Sequence, residues 1–190
     1  MAGFRKVKAE STPEGIAKYK AIENRKSDEK QYQKYIDILG ADNMPKTLDE
    51  FQQIKYNDIE RWEDIKYYVR NIDDRPIQYV QLDRELQKKG ITDKGKAYPV
   101  EDIVISDWKE HSKKRMQQSN ITEEEALSFK TNAIAIMRKY PEPQTQWNYY
   151  SDDGILGVRH SDGVVCTVIG KDRYEEGTAV VLEEMKKWLK

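Results

Sequence analysis

Apolar positions are sparse and weakly periodic at the start of the chain and strongly patterned at its end. Residues 1–26 are polar and contain Pro13 and Gly15, which predicts a flexible arm with one helical turn near Ile16 to Ile22. Tyr32, Tyr35, Ile36 and Leu39 then recur at helical spacing, and Gly40 is a suitable stop, so a helix is expected from about Asp28 to Leu39. Thr47 with Glu50 is a capping box that opens a short helix through Phe51 and Ile54. Asn57 with Glu60 repeats the signal before Ile59, Trp62, Ile65, Tyr68 and Val69. Residues 27–75 therefore read as a small helical region. Pro76 marks a change of domain, and 76–99 reads as a linker in which Ile77 to Leu82 has strand character.

From Val100 the pattern changes. Ile103-Val104-Ile105 is a strand candidate, and Ser106 can cap a helix over Asp107 to Gln117. Thr122 with Glu125 opens a helix whose stripe Ala126, Phe129, Ala133, Ile136 and Met137 carries it to about Lys139, where Pro141 and Pro143 stop it. Three strands follow: Gln146 to Tyr150, Ile155 to Arg159 and Val164 to Ile169. They are joined by turns containing Asp153-Gly154 and Asp162-Gly163. A last helix spans Thr178 to Lys190. The fold class is α+β: a helical N-terminal region and, over 100–190, helices packed on an antiparallel β-meander.

Composition narrows the chemistry. Of 190 residues, 37% are hydrophobic and 35% charged, which suits one real core plus a solvated helical region. No apolar run reaches the roughly 18 residues of a membrane helix, and no apolar segment follows the charged start, so neither a membrane span nor a secretory signal is expected. One cysteine, Cys166, excludes an internal disulfide framework, and one Cys with two His does not make the usual zinc set. A reduced cytoplasm is the natural setting. Glu123-Glu124-Glu125 complements a helix dipole rather than binding metal. There is no Gly-rich phosphate loop, Ser nucleophile elbow or H-E-x-x-H, so kinase, Rossmann and serine-hydrolase readings lack support, and no cofactor is expected. The net charge is −1, with 13 basic and 16 acidic residues in 99–190, so nucleic-acid binding there requires local clustering of cations.

Two groups of residues can carry chemistry. His111 lies four positions before Arg115 on the expected helix, with Trp108 on the same face, and this pairs an imidazole with a guanidinium. On spacing alone, an ordinary amphipathic surface helix with solvated charges is the favoured explanation of the pair. The second group is Tyr149, Tyr150, Arg159, His160 and Thr167. Period 2 places Val165, Thr167 and Ile169 on one face and sends Arg159 and His160 to opposite faces, so one of those two is expected to meet Thr167.

Two resemblances bear on function. Lys34 to Gly40, Pro45-Lys46-Thr47-Leu48-Asp49-Glu50-Phe51, Lys55-Tyr56-Asn57-Asp58 and Trp62-Glu63-Asp64-Ile65-Lys66 resemble the region near the C-terminus of minor head (head-morphogenesis) proteins of tailed phages and prophages. The resemblance implies a C-terminal fragment or stand-alone relative of such proteins. Residues 100–175 carry a helix with His111 and Arg115, then Asn120-Ile121-Thr122-Glu123-Glu124-Glu125. A meander with Asp162-Gly163-Val164-Val165 and Thr167 completes the stretch. This resembles the barnase–EndoU–colicin–RelE group of small RNases and toxins. The resemblance implies metal-independent RNA cleavage by attack of the neighbouring 2′-hydroxyl. In it His111 is the acid or base, Arg115 the phosphate cation, Thr167 and Tyr150 the positioning groups, and Arg159 or His160 a second charge. It implies RNA, phage virion proteins or an immunity protein as partners, and a bacterial cytoplasm or the virion as location. A non-enzymatic phage head structural or interaction protein is the alternative, and a small inhibitor or antitoxin is a third reading.

Overall fold

The computed structural model describes residues 12–189 and divides into two compact units, one through Asp73 and one from Asp74. No described helix is long and apolar enough to cross a membrane. The expected arm falls partly outside the described residues, at 1–11. Its remainder is helical: α1 runs Pro13–Leu39, capped by the Thr12 hydroxyl, which accepts from the Gly15 N–H at 3.1 Å. The expectation of a flexible arm failed because this half of α1 buries little beyond Ala17, so no apolar stripe advertises it. Gly40, at φ +83°, stops the helix.

Two further helices, α2 (Leu48–Asn57) and α3 (Ile59–Asn71), complete the first unit. Thr47 caps α2 through its hydroxyl, but the expected box is incomplete, since Glu50 reaches back to the Lys46 N–H at 2.9 Å; α3 is capped by Asp58 rather than Asn57, through a 3.0 Å bond from the Arg61 N–H. Phe51 is fully buried, with Tyr32, Tyr35 and Trp62 around it at ring distances of 5.2, 6.1 and 5.4 Å. Beside this core the Asp28 carboxylate is 1% exposed and accepts from Lys55 at 2.7 Å and from Gln52 and Tyr56 at 2.8 Å. These bonds outweigh the cost of burial and hold Asp28 below the ordinary carboxylate range.

The second unit is α+β. It contains α4 (Ile77–Lys88), β1 (Lys96–Tyr98), β2 (Asp107–Trp108), α5 (Glu110–Ser119), α6 (Glu123–Thr131), β3 (Ala135–Lys139), β4 (Gln146–Tyr150), β5 (Gly154–Arg159), β6 (Val164–Gly170) and α7 (Glu176–Trp188). The sheet order is β1-β3-β4-β5-β6-β2, antiparallel throughout except for β2 beside β6. On one face Leu82 and Leu86 of α4 and Val181, Leu182 and Met185 of α7 pack on Ala97, Ala135, Met137, Tyr150 and Ile155. On the other, Met116, Ala126 and Phe129 from α5 and α6 pack on Ile136, Trp147, Tyr149, Leu156, Val158, Val165 and Val168. Each fully buried large side chain contributes about 1.5–3 kcal/mol, and the two layers trap the sheet between them.

Several sequence expectations are corrected here. Residues 76–99 hold α4 and β1, so they are part of the fold rather than a linker, and Ile77 to Leu82 is helical rather than a strand. Pro76 precedes the helix with φ −53°, and Val80, Asp83 and Leu86 fall on one helical side, which outweighs local β propensity. Ile103 to Ile105 forms no strand; the pairing begins at Asp107–Trp108, and so Trp108 is not on the helix with His111. Ser106 does not cap α5 but donates to the Asp162 carbonyl at 2.5 Å. The helix opened by the Thr122–Glu125 capping box ends at Thr131, not Lys139. Ala135, Ile136 and Met137 are fully buried in a central strand between β1 and β4. A strand covered on both faces reads as an unbroken apolar run, and this one happens to match helical spacing.

Candidate functional site

Helix α5 lies along the β6 edge. The Lys109 N–H donates to the Val165 carbonyl at 3.0 Å, and the Ser112 hydroxyl, fully buried, sits 3.2 Å from the same oxygen. Ser112 and Met116 thus form the inward side of α5. His111 and Arg115, also one turn apart, project over the neighbouring edge of the sheet, where the Arg115 Nε–H donates to His111 Nε2 at 3.2 Å.

Below them the sheet supplies a polar floor. Gln146, Asn148 and Tyr150 alternate on β4 with the buried Trp147 and Tyr149. Asn148 is paired across β5 Gly157 with Thr167 of β6. A Cβ on Gly157 would stand 2.5 Å from Gln146 Nε2, 2.6 Å from Asn148 Oδ1 and 3.1 Å from Thr167 Cβ, so the missing side chain is what leaves room for these three. Gln146 Nε2 donates to Asn148 Oδ1 at 2.7 Å.

The register between β5 and β6 slips after Gly157, where Thr167 is opposite Gly157 and Val165 is opposite Val158. This bulge at Cys166 corrects the expected alternation. Val165 turns into the core with Val168, whereas Thr167 and Ile169 face the cavity.

His111, Arg115, Tyr150 and Thr167 therefore line a single cavity of about 310 Å³, with Gln146, Asn148 and Ile155 on its floor. Lys94, Lys139, Tyr140, Arg173, Glu175 and Thr178 complete the lining. Four cations converge here although the surrounding sequence is slightly acidic. Lys94 lies 3.7 Å from Glu175, which partly offsets it. Tyr150 is 4% exposed; burial first, then the charges of Asp93 and Glu175, pushes its phenol well above the ordinary value, so it is a neutral donor.

The other two candidates lie elsewhere. Arg159 lines an adjoining depression of about 300 Å³ with Lys109, Tyr140, Gln144, Gln146 and Cys166. Its guanidinium is bound to Asp162 through Nε at 2.9 and 3.0 Å and Nη2 at 2.5 Å. His160 is on the opposite face. It stacks on Trp147 at 4.3 Å, with Nδ1 3.3 Å from Glu142. Neither meets Thr167 as a second charge. The polar and charged lining groups that sequence reasoning missed are Lys94, Lys139, Tyr140, Gln146, Asn148, Arg173, Glu175 and Thr178. The alternation of Gln146, Asn148 and Tyr150 around two aromatic residues was a readable signal for the floor. Lys139 was hidden by its assignment to a helix. Among the described residues, no three His, Cys, Asp or Glu side chains are grouped to hold a metal ion.

Comparison with protein-family models, with curated proteins and with solved structures finds no match for this chain.

Proposed function

We propose that the second unit is a metal-independent, RNase-like toxin domain of a phage- or prophage-derived protein. One observation carries this reading: His111 and Arg115 from α5 and Tyr150 and Thr167 from the sheet line one cationic cavity. Cleavage at an RNA phosphodiester needs a group that takes the proton from the 2′-hydroxyl and a group that returns one to the departing 5′-oxygen. It also needs cations for the crowded phosphorane. His111 supplies one proton-transfer group, and Glu175, a carboxylate in the same lining, supplies its counterpart. As the 2′-oxygen bonds to phosphorus, the bond to the 5′-oxygen breaks, leaving a cyclic phosphate and a 5′-hydroxyl. Arg115 is already aligned by its bond to His111 and retains guanidinium N–H groups for the phosphate. Thr167, Tyr150 and Asn148 position the scissile group by hydrogen bonding.

The test is expression in bacteria of the intact chain beside His111→Ala and Arg115→Ala. Growth arrest with fragmented RNA for the intact chain, and neither for the variants, supports the reading. Equal growth and whole RNA for all three removes it.

A second reading, a non-enzymatic phage head structural or interaction protein, is favoured by the first unit. Ile16, Tyr19 and Ile22 expose 44%, 45% and 69% of their surface along one side of α1. Such a stripe suits contact with other virion proteins. Co-purification of residues 1–73 with assembled particles would support this reading.

A further inference from the structure

We propose that Tyr140 and the depression beside it form a subsite for an unpaired nucleobase, which makes single-stranded RNA the substrate class of the cleft. This rests on the RNase reading above. Tyr140 follows β3 at φ +67°, a left-handed backbone disfavoured for an aromatic residue, and its side chain stays 57% exposed rather than joining either core. Tyr140 stands where two depressions meet, because it lines both the His111–Arg115 cavity and the adjoining one. Lys139, which also lines the main cavity, holds its Nζ over one face of the ring, 5.1 Å from the centroid, and leaves the other face for a base.

The two depressions differ in chemistry. The main cavity presents Lys94, Arg115, Lys139 and Arg173, a set suited to phosphate oxygens. In the adjoining one the Arg159 guanidinium is already neutralised by Asp162, so what remains is Lys109 with the amides of Gln144 and Gln146. Amides beside an exposed aromatic face suit a neutral, planar group with a hydrogen-bonding edge better than a second phosphate. A base splayed from the nucleotide whose phosphate occupies the main cavity meets that description, with Tyr140 as its stacking surface. Bases within a duplex remain stacked on one another and do not reach the ring.

The test uses the full chain and labelled single-stranded oligodeoxynucleotides, which lack the attacking 2′-hydroxyl and so remain intact. One strand is complete and one is abasic at successive positions, and binding is read by fluorescence anisotropy at fixed salt. Tyr140→Ala is expected to weaken binding of the complete strand about tenfold, the scale of one base–aromatic stack, and Tyr140→Phe to restore it. On the abasic strand the Ala variant and the intact chain should bind alike. Equal binding of the complete strand by the intact chain and Tyr140→Ala overturns the subsite but leaves the RNase reading standing. An equal loss on both strands does the same. If the intact chain binds neither strand, the subsite and the RNase reading fall together.

Discussion

Gly157 and Gly154 lie three residues apart on one strand, yet an added methyl group should do opposite things at the two. At Gly157 the new Cβ meets the tips of Gln146 and Asn148 at 2.5 and 2.6 Å, and both tips are far ends of polar side chains that can turn aside once the bond between them is given up. Each must retreat by about 1 Å to reach ordinary contact. That breaks the 2.7 Å Gln146–Asn148 bond, a loss of about 1 kcal/mol, while replacing glycine by alanine restores about 0.4–1 kcal/mol through the unfolded chain. Stability should therefore change by under about 1 kcal/mol. The cavity floor, however, is displaced by about 1 Å, and under the proposed RNase function that is enough to lower RNA cleavage by about 100-fold. At Gly154 the Cβ lies 2.1, 2.3 and 2.4 Å from three atoms of the Phe129 ring, which is 5% exposed and cannot withdraw. Overpacking there should cost about 3 kcal/mol. Thermal unfolding followed by near-ultraviolet circular dichroism, with cleavage of a single-stranded RNA on the same samples, separates the two. If Gly157→Ala melts as low as Gly154→Ala, or cleaves RNA as well as the intact chain, the account of the cavity floor is refuted.

Asp28→Ala should destabilise the helical unit by about 2–4 kcal/mol in urea, because Lys55, Gln52 and Tyr56 lose a shared acceptor at a buried position. Because Asp28 is held below its ordinary value of 3.8, its contribution is present above that pH and lost as pH falls through the lowered value. An acid titration in which intact and Asp28→Ala chains keep a constant stability gap below pH 3.8 would contradict this. In the second unit Arg75 and Asp83, with side chains 5% and 8% exposed, are joined at 2.8 Å, and both also bond Ala97. Asp83→Ala should cost about 3–5 kcal/mol by removing the buried carboxylate that pairs with Arg75 and accepts from the Ala97 N–H, read as a lower denaturant midpoint. Lys139→Ala should reduce the salt dependence of oligonucleotide binding by a slope of about 0.7, the share of one phosphate contact on a single strand. An unchanged slope would remove Lys139 from the phosphate path.

Local signals recovered those features whose cause is local. The Thr47 and Thr122 caps, the Gly40 stop and the Asp-Gly turns each depend on a few neighbouring residues, and each is where the sequence places it. Gly163 shows why such a turn is specific. It adopts φ +71°, and a Cβ there would lie 2.2 Å from the Val104 carbonyl. Elements decided by tertiary burial were misread. In β3, burial on both faces erased the alternation; in α4, β-branched and aromatic residues masked a helix that packs on α7. The site divided in the same way. His111 and Arg115 were legible as an i, i+4 pair. Thr167 was legible as a polar residue in an apolar strand, but its facing depends on the Cys166 bulge, which no pattern announces. Arg159 and His160 were correctly sent to opposite faces, yet neither partner, Asp162 or Trp147, was foreseen.

The most direct test of the central claim is incubation of the purified chain with single-stranded RNA in excess chelator, with analysis of the product ends. Fragments bearing 2′,3′-cyclic phosphate and 5′-hydroxyl ends, formed by the intact chain and abolished by both His111→Ala and Arg115→Ala, are the predicted result. Intact RNA after incubation with the folded chain, or cleavage that survives both substitutions, would contradict it.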